Sequence, residues 1–183
     1  MEFIKTPFEG LFVLEHNLLN DQRGLFARTF CKSEFKKIGF EKEFVQFNHS
    51  FNLSKGTIRG MHFQIAPFCE SKLIRCIQGS VFDVVVDIRL GSPTYLQHFG
   101  IELSSSKMMS LLIPEGFAHG FQTLEDNSAL IYHHTQFYNS IADAGIRHDD
   151  DVLGIKWPLP RINVSEKDML YPIIDKNFKG IKL

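Results

Sequence analysis

Arg59 and His62 stand three residues apart in the stretch Gly56-Thr57-Ile58-Arg59-Gly60-Met61-His62-Phe63-Gln64. A second histidine stretch, Pro114-x-Gly116-x2-His119, follows later in the chain. A histidine takes up and releases protons near neutral pH, and an arginine holds anionic oxygens through charge-assisted hydrogen bonds. Directed together into the mouth of a β-walled pocket, such groups suit moving a proton beside an anionic ligand.

The elements around these residues must bring them to one side. Successive side chains of an extended strand point to opposite faces, so Ile58, Gly60, His62 and Gln64 share one face and Arg59, Met61 and Phe63 the other. Arg59 joins His62 only if a bulge or turn at Gly60 re-aims it. Upstream, Asp21-Gln22-Arg23-Gly24 reads as a turn leading into a strand over 25–30. A short helix is expected over 33–39, capped by Ser33 and ended by Gly39. The run 44–51 alternates with period two, Gln46, Asn48 and Ser50 on one face against Val45, Phe47, His49 and Phe51. Its polar face either meets water or lines a site. Residues 72–77 and 81–89 around Gln78-Gly79-Ser80 read as a hairpin, and Val84-Val85-Val86 as a strand covered on both faces. Further strands are expected over 99–103, 108–113 and 129–135. Asp149-Asp150-Asp151 reads as a solvated turn, and a short helix is expected around 166–170. Many short strands between Gly/Pro turns predict a mainly β sandwich or barrel with few short helices.

Composition narrows the function classes. At 183 residues the chain is expected to form a single domain, 1–183. A formal net charge of −1 offers no basic field for nucleic acid. No apolar run approaches the roughly 20 residues that span a bilayer, and the N-terminus lacks the basic and apolar regions of a signal peptide. The 3 cysteines Cys31, Cys69 and Cys76 have no metal-binding spacing, and their odd number argues against a disulfide framework. A cytoplasmic protein with reduced thiols is the expectation. With 18 Phe and 4 Tyr, the core is aromatic-rich, which favours β structure.

The two histidine stretches resemble the paired motifs of the cupin superfamily, a double-stranded β-helix or jelly roll. Metal-binding cupins use His-x-His with a nearby glutamate; here Gln64 replaces the second histidine and Glu70 is displaced, so no metal is expected. The ordered set Asp21-x-Arg23-Gly24-x-Phe26, Gln46-x-Asn48-x-Ser50, Arg59 to Gln64, Lys72 to Arg75, Gly79 to Arg89, 113–121, Tyr132 with Tyr138, Gly145 to Arg147, Trp157-Pro158 and Ser165-x-Lys167-Asp168 resembles the dTDP-4-dehydrorhamnose 3,5-epimerases over roughly residues 10–170. That resemblance implies a jelly roll that forms a homodimer with N-terminal strands exchanged. It also implies a cofactor-independent isomerase acting on a nucleotide-linked 4-keto-6-deoxy sugar in deoxysugar biosynthesis. By the same resemblance His62 is the base, Asp168 orients it, Lys72 faces the developing oxyanion and Tyr132 returns a proton from the opposite side. Arg59 and His119 would hold diphosphate or sugar oxygens. Arg23, Phe26, Gln46, Asn48 and Tyr138 would hold the nucleotide, some reaching from the partner subunit.

One departure bears on the nucleotide. Arg28 stands where the family commonly carries a glutamate near the base, and an arginine fork matches the O6 and N7 acceptors of guanine. GDP therefore stands beside dTDP as an expected nucleotide, on a hexose or a heptose. The spacing of these residues does not decide whether C3, C5 or both are inverted. A 3,4-ketoisomerase and a sugar-binding cupin without activity are the alternative classes. His49, His98, His133, His134 and His148 are left as structural or surface residues.

Overall fold

Period-two alternation of apolar residues, broken by glycine turns, folds the chain into thirteen strands and two short helices. The computed structural model describes residues 1–183. In order these are β1 (Glu2–Lys5), β2 (Phe12–Glu15), β3 (Leu18–Asp21), β4 (Gly24–Ala27), α1 (Lys32–Lys36), β5 (Gln46–Asn52), β6 (Ile58–Gln64) and β7 (Lys72–Gln78). There follow β8 (Ser80–Asp87), β9 (His98–Ser104), β10 (Met109–Ile113), β11 (Phe117–Thr123), β12 (Ser128–His134), β13 (Asp143–Gly145) and α2 (Glu166–Met169). A six-stranded sheet runs β1-β2-β10-β7-β12-β5, and a five-stranded sheet runs β13-β6-β11-β8-β9. The strands β3 and β4 pair only with each other, as a separate ribbon.

The two large sheets stack face to face over a core of Val13, Ile74, Leu111, Ile113 and Leu130 from one, and Val81, Val85, Leu103, Phe117 and Phe121 from the other. The outer face of the six-stranded sheet is covered where Phe35 of α1 packs on Leu14, Leu73 and Leu112. The outer face of the five-stranded sheet, with Met61, Val84, Val86 and Ala118, is covered by Ile146, Leu153 and Ile174 from the C-terminal third. Val85 thus faces one core and its neighbours Val84 and Val86 another, all fully buried, which is the two-sided covering expected of that run.

Three expectations need correction. Residues 72–89 are not a hairpin: β7 lies between β10 and β12, whereas β8 lies between β11 and β9 in the other sheet. Gly79, at φ +68°, carries the chain across the sandwich, where a Cβ would come within 2.5 Å of Ser128 Oγ. A tight glycine turn between two apolar strands reads the same in sequence whether the chain folds back or crosses over. The first helix begins one residue early. Cys31 is its N-cap, extended and without a side-chain cap, and its carbonyl accepts from Glu34 and Phe35. Ser33 falls inside the first turn, so the seating of Phe35, not a hydroxyl cap, sets where α1 starts. The Asp149-Asp150-Asp151 turn is only partly solvated, because Asp150 is buried and accepts from the N–H groups of Val152 and Ile174. At α2 the cap is a hydroxyl: Ser165 Oγ accepts from Asp168 N–H at 3.1 Å.

Candidate active site

Register decides which side chains meet at the mouth of the sandwich. In the six-stranded sheet Lys72, His134 and Gln46 lie side by side across three strands, and Ile74, Tyr132 and Asn48 form the next rung. In the facing sheet His62 pairs with His119, and Arg59 pairs with Phe121 after a register shift. Gly60 and Met61 oppose the single residue Gly120 there, so the strand bulges and Arg59 turns to the same side as His62. Gly60 sits at φ +132° with a built Cβ only 2.5 Å from the Gly120 Cα, so both the conformation and the close approach require glycine. The re-aiming that the sequence left conditional is what the strand does.

The result is a cavity of about 270 Å³, whose charged or titratable lining consists of Arg59, Lys72, His49, His62, His119 and His134, with Tyr132, Asn48 and Ser50 among its polar walls. No carboxylate lines it. Three stand behind it, each joined to a histidine. Asp168 Oδ1 is 2.8 Å from His62 Nε2, and its other oxygen accepts from the Gly60 N–H at 3.0 Å. Burial pushes the Asp168 carboxyl up, but the hydrogen bond and charge of His62 outweigh it and hold it below the usual carboxylate range. Asp83, fully buried, meets His119 Nε2 with both oxygens at 3.0 Å. Burial nevertheless keeps the His119 imidazole below its ordinary range, favouring the neutral ring. Glu70 reaches His134 Nδ1 at 2.8 Å and Lys72 Nζ at 3.2 Å.

Tyr132 faces this set from the six-stranded sheet. Its hydroxyl lies 3.2 Å from Ser50 Oγ, and its ring meets His119 edge-on at 6.2 Å. Burial pushes the phenol well above its ordinary value, so it keeps its proton through the neutral range. A histidine fixed by a carboxylate on one wall, a protonated phenol on the other and two cations between them can take a proton from one face of a bound molecule and deliver one to the other.

The structure gathers Asn48, Arg59, His62, Lys72, His119 and Tyr132 into the cavity lining, with Asp168 directly behind His62. Gln46 and Tyr138 meet each other, the Gln46 side-chain oxygen accepting from the Tyr138 N–H at 3.0 Å, while the Tyr138 hydroxyl donates to Asp143. Arg23, Phe26 and Arg28 do not reach the cavity of their own chain. Arg23 pairs with Asp21 on the turn of the ribbon, Phe26 is 67% exposed and Arg28 pairs with Glu34 at 3.3 Å. Gln64 turns away to clamp loops, bonding Phe68, Phe137 and Asn139 backbone groups.

Sequence reading missed Asp83, Glu70, His49 and His134 as parts of the site. Asp83 had a signal, a lone carboxylate inside the apolar run 81–86. His134 shares a strand face with Tyr132 two residues away. Glu70 lies in a loop, and nothing in its spacing marks it.

The model of the family described as dTDP-4-dehydrorhamnose 3,5-epimerase matches residues 5–176. The chain belongs to this family. An epimerase of that name from Shigella flexneri is 41% identical over 170 residues, covering 92% of this chain and 93% of its own. One from Methanothermobacter thermautotrophicus is 40% identical over 178 residues, covering 96% of this chain and 95% of its own. The Bacillus anthracis dTDP-4-dehydrorhamnose 3,5-epimerase, solved with TDP and pyrophosphate bound, superposes with a TM-score of 0.92 at 39% identity, covering 94% of this chain and 99% of its own. The Legionella pneumophila dTDP-6-deoxy-D-glucose-3,5-epimerase, solved with dTDP-4-keto-L-rhamnose, gives 0.91 at 35% identity, covering 98% of this chain and 97% of its own. The paired sheets are therefore the cupin jelly roll of the 3,5-epimerases, and the chain is an isomerase of the sugar-nucleotide epimerase class. No helix is long and apolar enough to cross a membrane.

Proposed function

We propose that this epimerase inverts C3 and C5 of a dTDP-linked 4-keto-6-deoxy hexose by proton abstraction and return. The observation that carries the reading is the division of charge at the cavity: cations and histidines line it, and every nearby carboxylate stands behind one of them. Such a lining attracts an anionic, oxygen-rich ligand and a developing enolate.

His62, held through Nε2 by Asp168, removes the proton next to the ketone. The C–H electron pair becomes the enolate, whose oxygen meets the Lys72 ammonium. Tyr132 then donates its phenolic proton to the opposite face of the same carbon, and the carbonyl re-forms. His62 loses the abstracted proton and the Tyr132 phenolate regains one before the next cycle. A ketone already acidifies both neighbouring carbons, so a base, an acid and a cation suffice, and a redox cofactor has no step to perform. Arg59, bonded through Nε to Asn52 at 2.6 Å, and His119 hold diphosphate or sugar oxygens.

Exposed apolar residues support the homodimer. Leu19, Leu25 and Phe26 on the β3–β4 ribbon, and Phe47 and Phe51 on the outer face of the edge strand β5, lie open to solvent in one chain. In our reading the ribbon crosses to a second copy and brings Arg23, Phe26 and Arg28 to that copy's nucleotide, with Gln46, Asn48 and Tyr138 on the receiving side. Arg28 already engages Glu34 through its guanidinium, which favours dTDP over GDP.

Turnover in deuterium oxide followed by proton NMR tests the function. Deuterium at C3 and C5 with the ketone retained at C4 is expected. Movement of the ketone to C3 would mark a ketoisomerase instead, and absence of both turnover and exchange would overturn the reading.

A further inference from the structure

Glu70 belongs to the loop before β7 and contributes nothing to the cavity lining, yet its side chain is only 9% exposed and both of its oxygens are engaged. Oε1 lies 3.2 Å from Lys72 Nζ, and Oε2 lies 2.8 Å from His134 Nδ1. On its other side His134 Nε2 lies 3.2 Å from Asn48 Nδ2, while Asn48 Oδ1 accepts from Gln46 Nε2. An amide nitrogen only donates, so His134 Nε2 accepts and the ring proton sits on Nδ1, where it donates to Glu70. The hydrogen bonds run in one sense from Gln46 through Asn48 and His134 to Glu70, which also receives Lys72.

We propose that Glu70, locked by His134, is the positioning residue that aims the Lys72 ammonium at the reacting oxygen. The role assigned to Lys72 rests on the epimerase reading above. Glu70 acts through Lys72 and touches no substrate. A lysine head on a flexible four-carbon stem loses much rotamer entropy when it is fixed, and its placement within a pocket needs a fixed partner. One of its three donors goes to Glu70, leaving two for a ligand oxygen. With only one bond, the carboxylate could rotate; the second bond, to His134, holds it. The His134 ring in turn stacks on Tyr132, with centroids 6.1 Å apart and planes 22° off parallel, so one ring braces both the lysine's anchor and the proton donor. The other charged or titratable groups around this set are Arg59, the His62–Asp168 pair and the His119–Asp83 pair of the opposite sheet and His49 on β5, and none of them contacts Lys72 within hydrogen-bond or ion-pair distance.

Glu70→Gln tests the proposal, because it keeps size while removing the charge and turning one of the two acceptor oxygens into a donor that neither the Lys72 ammonium nor an Nδ1–H of His134 can meet. With a dTDP-linked 4-keto-6-deoxy sugar, kcat is expected to fall by about 10- to 100-fold. KM is expected to stay within about threefold. Glu70→Asp, which keeps the charge, should retain clearly more kcat than the amide. Long-range proton–nitrogen NMR of the histidine side chains supplies a readout that does not need turnover. In the native protein His134 should appear as the Nδ1–H tautomer, and in Glu70→Gln as a mixture. A native-like kcat in Glu70→Gln, or an Nε2–H tautomer for native His134, would overturn the tether. Were the native protein inert towards 4-keto sugars, the epimerase reading would fall, while the NMR arm would still decide whether Glu70 fixes this ring.

Discussion

At the mouth of the jelly roll each functional side chain is held by a second group, whereas on the β3–β4 ribbon the expected ligand residues are nearly bare. His62 has Asp168, His119 has Asp83, Lys72 has Glu70 and Arg59 has Asn52. On the ribbon, the side chain of Arg23 is 89% exposed beside Asp21, and Phe26 stands in solvent without an aromatic partner. The contrast separates two duties. The proposed proton transfer needs groups fixed to within a fraction of an ångström, and one chain supplies them from its two sheets, the loop before β7 and α2. Holding the nucleotide tolerates looser placement, and in the proposed dimer it falls to a strand pair whose final environment a second copy supplies.

The largest expected effect tests the fixed half. His62→Asn should lower kcat about 1,000-fold or more, since it removes the proposed base while keeping a polar side chain of similar reach. Tyr132→Phe should act differently although it removes only one oxygen. Inversion should fall by about 100-fold or more, while deuterium still washes into C3 through His62 with retention of configuration. Proton NMR in deuterium oxide distinguishes the two patterns. Equal loss of exchange and inversion in both variants would show that His62 and Tyr132 do not divide the two faces.

The ribbon is tested by mixing. His62→Asn and Arg23→Ala chains, each nearly inactive alone, are refolded together in equal amounts. If the ribbon serves the partner's cavity, half of the dimers are hybrids and each hybrid holds one intact site, so about a quarter of native activity returns. If each ribbon serves its own chain, no site in the mixture is intact and no activity returns. The comparison between the two regions stands or falls on that result.

A smaller effect concerns a buried carboxylate outside the site. Asp87 is fully buried and accepts from Arg89, Ser92 and Thr94. Burial alone would raise its carboxyl, yet these hydrogen bonds bring it down to about 2. A carboxyl held below its unfolded value stabilises the fold above the unfolded pKa of about 3.9, and that contribution is lost as pH falls towards 2. The interval amounts to about 2 kcal/mol. Urea unfolding between pH 6 and pH 2.5 should show this loss in the native protein and a flatter dependence in Asp87→Asn, with the neutral-pH stability of the variant already lower. An equal acid dependence in both would remove Asp87 from the account.

Much of this was readable from the chain, and the misses share a cause. Alternation placed Gln46, Asn48 and Ser50 on one polar face, and Asn48 and Ser50 of that face line the cavity. The bulge at Gly60 was legible as a condition, because only glycine permits it, but whether it forms depends on Gly120 in another strand. The 72–89 run was misread as a hairpin because local sequence does not record which sheet a strand joins. Asp83, Glu70 and His134 escaped because a carboxylate–histidine pair is made across strands or from a loop, at sequence separations of 36 and 64 residues. Asp168, 106 residues from His62, was found only through the family resemblance.

The smallest expected effect bears on the residue that raised GDP as the nucleotide. Arg28 and Glu34 form a pair whose arginine side chain is 65% exposed, so Arg28→Ala should change stability by no more than about 0.5 kcal/mol. A guanidinium that reads guanine through a bidentate contact would contribute about 1–3 kcal/mol of discrimination. Calorimetry of dTDP and GDP binding to the native protein and to Arg28→Ala separates these cases. With Arg28 held by Glu34, dTDP should bind more tightly in both, and the ratio of the two affinities should shift little. A native preference for GDP that collapses in Arg28→Ala would instead place the guanidinium on the base. It would also mean that pairing within the ribbon region is broken when a nucleotide binds, and that the looser half of the site is where specificity is set.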